Sequence, residues 1–180
     1  MELREFDLRN APQLEKQVRA LYESAFPREE RIPWWLLRIN GQRNGIGLSA
    51  WMDGDVFCGF TAWVTVEDLH FLLFFAVAEE LRGEGYGTAI LTELRKKFAT
   101  VTLNVELLDP AAENYDQRVR RVSFYRKNGF YDTGWDVWEI GGQFRVLSTR
   151  QQLDIRVYRK VFRKLSCGIW KVKLKEERKS

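Results

Sequence analysis

Phe71 to Leu94 reads FLLFFAVAEELRGEGYGTAILTEL, and the order of its parts decides the fold. Phe71 to Val77 is an apolar run dense in aromatic and branched residues and too short for a membrane span, which predicts a buried central strand. Ala89, Ile90 and Leu94, with Phe98 a turn on, recur at helical spacing. Between strand and helix lies Arg82-Gly83-Glu84-Gly85-Tyr86-Gly87. Glycines there remove side chains, so consecutive backbone N–H groups can close on an anion at a helix N-terminus, where the dipole also favours negative charge. The stretch is a place to hold a pyrophosphate, and a phosphorylated cofactor is expected.

Three glycine-based patterns compete for it. The phosphate loop of nucleotide triphosphatases ends in Gly-Lys and a hydroxyl residue, but here Gly87 runs directly into Thr88 and the loop has no Lys. The dinucleotide fingerprint needs two residues between its second and third glycines, whereas Gly83, Gly85 and Gly87 alternate singly. The third pattern is Arg or Gln, two residues, Gly, one residue, Gly or Ala, after a strand and opening a helix. Arg82, Gly85 and Gly87 match it in spacing and context. Downstream, Phe124-Tyr125-Arg126-Lys127-Asn128-Gly129-Phe130 carries a Tyr-x-x-x-Gly-Phe signature.

On these two ordered motifs the chain resembles the GNAT superfamily of N-acetyltransferases, over roughly residues 2 to 150. The resemblance implies an α/β (α+β) GNAT fold, with a mixed central sheet and helices on both faces. Residues 1–150 would then be the acetyl-coenzyme A-dependent core, and residues 151–180 a C-terminal helix and basic strand or tail packed on the core or a dimer partner. It implies acetyl-coenzyme A as donor and coenzyme A as product. The cofactor would be held by Phe75, Ala76 and Val77 on the strand and by Arg82, Gly83, Glu84, Gly85, Tyr86, Gly87 and Thr88 in the loop. The acceptor would be a small-molecule amine or a peptide.

The rest of the composition fits an enzyme of this size. With 180 residues, 45% hydrophobic and 30% charged, the chain can bury a sizeable core and is no candidate for disorder. No signal-peptide pattern and no membrane-length apolar run is present, so a cytoplasmic location without membrane attachment is expected. Cys58 and Cys167 lack metal-ligand spacing and His70 is the sole histidine, which gives disulfide, metal and Cys-His chemistry no support. The net charge of +4 is concentrated after Arg156. That run reads either as a nucleic-acid or anionic-surface arm or, as favoured here, as a solvated basic face with no nucleic-acid partner.

Element by element, Glu2 to Leu8 reads as a strand and Pro12 to Ala25 as a helix with Leu14, Val18, Leu21 and Tyr22 on one face. Arg28 to Ile39 reads as a second helical piece with Pro33 in its first turn. Trp34 and Trp35 there are either core or the lining of an acceptor pocket. Gly45 to Trp51 and Val56 to Val66 form a hairpin about Asp53-Gly54. Val101 to Glu106 is a strand, Val119 to Asn128 a helix closed by Gly129, and Tyr131 to Ile140 with Gln143 to Ser148 a hairpin about Gly141-Gly142. Gln151 to Leu165 is amphipathic, and Ile169 to Leu174 alternates like a half-buried strand that packs on the domain or in a homodimer.

Acyl transfer to an amine needs a neutral nitrogen, a polarised carbonyl and a proton for the departing thiolate. Tyr125 is the candidate acid, because a phenol of pKa ~10 can protonate a thiolate and the family signature puts its tyrosine at this position. In relatives a glutamate on the strand matching Val101 to Glu106 takes the amine proton. Asn104 occupies that position, so Glu106, two residues along on the same strand face, is the candidate base. Glu67, Asp68 and His70 are alternatives. Arg118 stands where the family often has a cofactor-touching asparagine; Arg118, Arg120 or Arg121 would remake that contact or leave it lost. The alternative to an enzyme is a non-catalytic coenzyme A-binding module with a basic C-terminal arm.

Overall fold

The computed structural model describes residues 1–139, 142–166 and 173–176. Ile140, Gly141, Cys167 and the first part of the expected strand at residues 169–174 lie outside them. The chain divides into two compact units, Met1–Thr65 with Leu72–Lys97 and Val66–Phe71 with Phe98–Ser180. Strands and helices alternate through both, the α/β class expected from the sequence.

The first unit holds β1 (Leu3–Asp7), α1 (Glu15–Ala25), α2 (Trp34–Asn40), β2 (Ile46–Asp53), β3 (Val56–Val66), most of β4 (Leu69–Val77) and α3 (Tyr86–Lys97). β1 and β3 flank β2 in antiparallel register, with Phe6 and Phe60 both opposite Ala50. Gly54 has φ +59°, the conformation the Asp-Gly turn demands. Gly45, expected inside β2, instead has φ +73° and is a turn residue, so the strand opens one position later and runs on to Asp53.

Leu8, Val18, Leu21, Leu37, Leu48, Phe60 and Phe74 close a core around Tyr22. The Tyr22 ring meets Phe74 edge-on at 4.9 Å and its hydroxyl donates to the Ile32 carbonyl at 3.0 Å. Pro33 precedes α2 as an extended residue (ψ 131°) rather than entering its first turn. The paired tryptophans divide: the Trp34 ring lies 5.8 Å from Tyr22 and its indole N–H donates to Glu15, whereas Trp35 is 64% exposed. Trp34 is therefore a structural anchor.

The second unit holds β5 (Thr100–Glu106), α4 (Tyr115–Lys127), β6 (Tyr131–Glu139), β7 (Gly142–Ser148), α5 (Ile155–Leu165) and β8 (Lys173–Glu176). The strand order is β5-β7-β6-β8. β7 lies antiparallel between its neighbours, so Phe144 faces Glu106 on one side and Val137 on the other. β6 kinks between Asp132 and Asp136, where Gly134 has φ +76°. The hairpin expected after Gly129 thus forms, and β8 extends it by pairing with β6.

Two helix boundaries differ from the sequence reading. α4 begins at Tyr115, four residues before the expected Val119, because the polar turn Tyr115–Arg118 carries no apolar signal and is held by Arg118 instead. α5 begins only at Ile155, because the Asp154 carboxylate accepts from the N–H groups of Arg156 (2.9 Å) and Val157 (3.4 Å) and fixes the start there. Tyr158 and Phe162 on the buried face of α5 pack on Phe71 at 5.9 and 5.4 Å.

Candidate active site

The glycine loop follows β4 in the first unit. Leu81 and Arg82 close a single 3-10 turn onto Ala78 and Glu79, Glu84 N–H bonds Leu81, and Ala89 N–H bonds Gly85. The N–H groups of Gly83, Gly85, Tyr86, Gly87 and Thr88 have no acceptor among the described residues. A helix start always leaves some donors orphaned, but here the free set continues backward into the loop. Gly83 and Gly85 have φ +89° and +87°, and a Cβ built at either meets nothing within 4 Å. Glycine is there for backbone conformation, and the space a side chain would project into is open.

The surrounding side chains fix this loop from behind. Arg82 Nε reaches back to the Val77 carbonyl at 3.4 Å, and the Tyr86 hydroxyl donates to Asp53 Oδ2 at 3.0 Å. The hydroxyl of Tyr86 is thus committed to the β2–β3 turn, while its N–H is left over. Phe75, Ala76 and Val77 at the end of β4 are half-buried. Gly59 on β3 permits their close approach, since a Cβ there would collide with the Ala76 carbonyl oxygen.

In the second unit Tyr125 sits on α4 with its ring against Phe124 (5.3 Å) and Phe130 (5.5 Å). Its hydroxyl makes no hydrogen bond among the described residues, in contrast to Tyr22 and Tyr158. Burial pushes its phenol up to about 12, offset in part by Arg121, so the group stays protonated at neutral pH. The hydroxyl is therefore a protonated donor with no backbone acceptor among the described residues.

Glu106, the candidate base, is ion-paired. Its carboxylate, with the side chain 16% exposed, pairs with Arg118 (3.1 Å) and Arg121, and also accepts from Asn114 Nδ2 at 3.2 Å. Arg118 in addition donates to Asn114 Oδ1 (2.6 Å) and the Leu107 carbonyl (2.9 Å). Guanidinium pairing engages both carboxylate oxygens in charge-assisted hydrogen bonds. The same contacts tie α4, which carries Tyr125, to β5. Of the alternatives, Glu67 pairs with Lys160 at 2.6 Å, Asp68 with Arg150 at 3.1 Å, and His70 is buried with its ring stacked on Phe98 at 3.7 Å.

A polar chain escaped the sequence reading. The buried Tyr158 hydroxyl donates to Asn104 Oδ1 at 2.7 Å, and Asn104 Nδ2 donates to Glu139 Oε1 at 2.8 Å. Burial raises the Glu139 carboxyl above its ordinary range, and the Asn104 bond partly offsets this. The departure at Asn104 was the only signal in the sequence.

Among the described residues no helix is long and apolar enough to cross a membrane, and no group of His, Cys, Asp and Glu is arranged to hold a metal ion. The family model described as an acetyltransferase (GNAT) domain matches residues 42–132. No curated protein matches the chain. Among solved structures, a GNAT-family putative acetyltransferase from Bacteroides thetaiotaomicron is similar with TM-score 0.70 and 21% identity, over 94% of this chain and 100% of that one. An aminoglycoside 6'-N-acetyltransferase complexed with coenzyme A gives 0.62 and 21%, over 82% and 96%. The aminoglycoside 6'-N-acetyltransferase from Enterococcus faecium gives 0.60 and 20%, again over 82% and 96%.

Proposed function

From the premise that the chain belongs to the GNAT acetyltransferase family, we propose that it moves an acetyl group from acetyl-coenzyme A to an amine by direct attack. The observation that carries this reading is the set of N–H groups of Gly83, Gly85, Tyr86, Gly87 and Thr88 with no acceptor among the described residues, which fits a diphosphate. When bound, acetyl-coenzyme A supplies an activated acyl group as a thioester. Phe75, Ala76 and Val77 offer backbone groups to its arm, and Gly83, Glu84, Gly85, Tyr86, Gly87 and Thr88 cradle its phosphates, with Arg82 shaping the loop from behind.

Tyr125 is the proposed acid. Its hydroxyl is protonated and uncommitted, so it can donate to the sulfur as charge develops there. Glu106 is proposed as a positioning residue that holds α4 through Arg118 and Arg121. The acceptor is a small-molecule amine or a peptide amine, and a homodimer through the C-terminal elements is part of the proposal.

Incubating the protein with radiolabelled acetyl-coenzyme A and a panel of amines, scored by thiol release, tests the reading. Transfer that Tyr125→Phe abolishes is expected. Coenzyme A binding with no turnover on any amine would instead identify a non-catalytic binding module.

A further inference from the structure

Glu139 lies at the end of β6, half-buried, and no cation pairs with it among the described residues. This sets it apart from Glu106, Asp132 and Asp136 of the same unit, all of which are bridged to arginine. Taking a carboxylate from water without a counter-charge is costly, and such a group calls for a reason. What it has is a directed chain of donors: Tyr158 gives its proton to Asn104 Oδ1, and Asn104 can then only donate onward, to Glu139 Oε1. Oε2 has no partner among the described residues.

This is the geometry of a base held by an orienter that is itself held by a third group. Asn104 stands on β5, Tyr158 on α5 and Glu139 on β6, and the backbone register alone does not join them, since Asn104 is opposite Val146 and Glu139 opposite Gly142. Of the elements packed here, β5 and α5 face Glu139 with Asn104 and Tyr158. On β8 Lys173 lies over the neighbouring Trp138 ring, 5.5 Å from its centre.

Resting on the acetyl-transfer reading, we propose that Glu139 takes the proton from the acceptor ammonium, with Asn104 and Tyr158 as the positioning residues that aim its Oε2. The proton leaves the ammonium nitrogen, lands on Oε2 to give the neutral acid, and passes to solvent before the next turnover; the nitrogen lone pair it leaves behind is the nucleophile. The raised carboxyl supports this, because a base is stronger when its conjugate acid titrates closer to neutrality. The acceptor class that needs such help is an aliphatic amine that enters charged.

The test uses the full chain with acetyl-coenzyme A and a pair of acceptors, n-propylamine, an ammonium ion at pH 7, and 2,2,2-trifluoroethylamine, which is neutral there. Glu139→Gln is expected to lower kcat/KM for propylamine by about a hundredfold or more and to change trifluoroethylamine by less than about threefold. Asn104→Ala is expected to move the acidic limb of the propylamine pH profile upward, by removing a bond that favours the charged carboxylate. A ¹³C titration of labelled glutamate, assigned through Glu139→Gln, should show Glu139 titrating above the other glutamates. Equal losses on both amines, no loss on either, or a Glu139 resonance that titrates with the rest would overturn the proposal alone. No transfer by the wild type to either amine would overturn the acetyl-transfer reading and this proposal with it.

Discussion

Gly85→Ala separates backbone strain from ligand binding, because the structure supplies its own control. At Gly85 φ is +87° and a new Cβ meets nothing within 4 Å, so the methyl clashes with no atom and the only penalty is conformational. An alanine held at positive φ costs about 1–2 kcal/mol. If the loop relaxes to negative φ instead, the Gly85 and Tyr86 N–H groups turn away from their shared direction. Two charge-assisted hydrogen bonds at roughly 1.5 kcal/mol each are then lost, a weakening of about a hundredfold in Kd. Gly54, at φ +59° and equally open, sits in the β2–β3 turn of the same unit. Gly54→Ala carries a similar strain with no loop donor involved. Titration calorimetry with coenzyme A, alongside thermal unfolding of both variants, reads the difference: Tm should fall in both or in Gly54→Ala alone, and affinity only in Gly85→Ala. Equal coenzyme A affinity for Gly85→Ala and the wild type, with no fall in Tm to show an alanine held at positive φ, would refute the reasoning.

Tyr125→Phe should reduce kcat by 10²-fold or more while leaving coenzyme A affinity within about twofold, measured by stopped-time thiol release and calorimetry. The Tyr125 phenol at about 12, raised from its unfolded value near 10, stabilises the fold below pH 10 by on the order of 2–3 kcal/mol, and that contribution is lost as pH rises from 10 toward 12. Denaturant unfolding across that range should show the loss shrink in Tyr125→Phe. Glu106→Gln removes the charge that Arg118 and Arg121 share in a half-buried setting, and should cost about 1–2 kcal/mol by urea unfolding, with only a modest drop in kcat. Gly59→Ala forces a methyl into the Ala76 carbonyl oxygen, and should destabilise by about 1–3 kcal/mol in the same assay. For Glu139, whose folded carboxyl is raised, stability is fully present below the ordinary glutamate range and declines as pH climbs through the raised value; Glu139→Gln should flatten that decline.

The parts legible in the sequence are those governed by local rules. Asp53-Gly54 fixes a hairpin wherever it occurs between strands, and Gly54 has the positive φ that turn requires. The apolar run of β4 followed by alternating glycines announces the loop, and Gly129 closes α4 at φ +77°. The start of α4 was not legible, because its first turn is polar, Asn114 makes no side-chain cap bond to it, and only Val122 is buried along the whole helix. Site chemistry was readable as residue types but not as partners. Glu106 meets its arginines 12 and 15 residues away, and Asn104 meets Glu139 35 residues and Tyr158 54 residues away. Such pairings follow from how strands and helices assemble, which no single segment encodes, so the candidate base Glu106 is ion-paired, and Glu139, which carried no motif, has no cation partner among the described residues.

The central claim is that main-chain amides of the glycine loop grip the diphosphate of the acyl donor. An ¹⁵N-labelled titration of the protein with coenzyme A measures it amide by amide. Gly83, Gly85, Tyr86, Gly87 and Thr88 are predicted to shift and saturate together, and inorganic pyrophosphate to move the same set to a lesser degree. Saturable shifts elsewhere in the chain with these resonances unmoved would contradict the account.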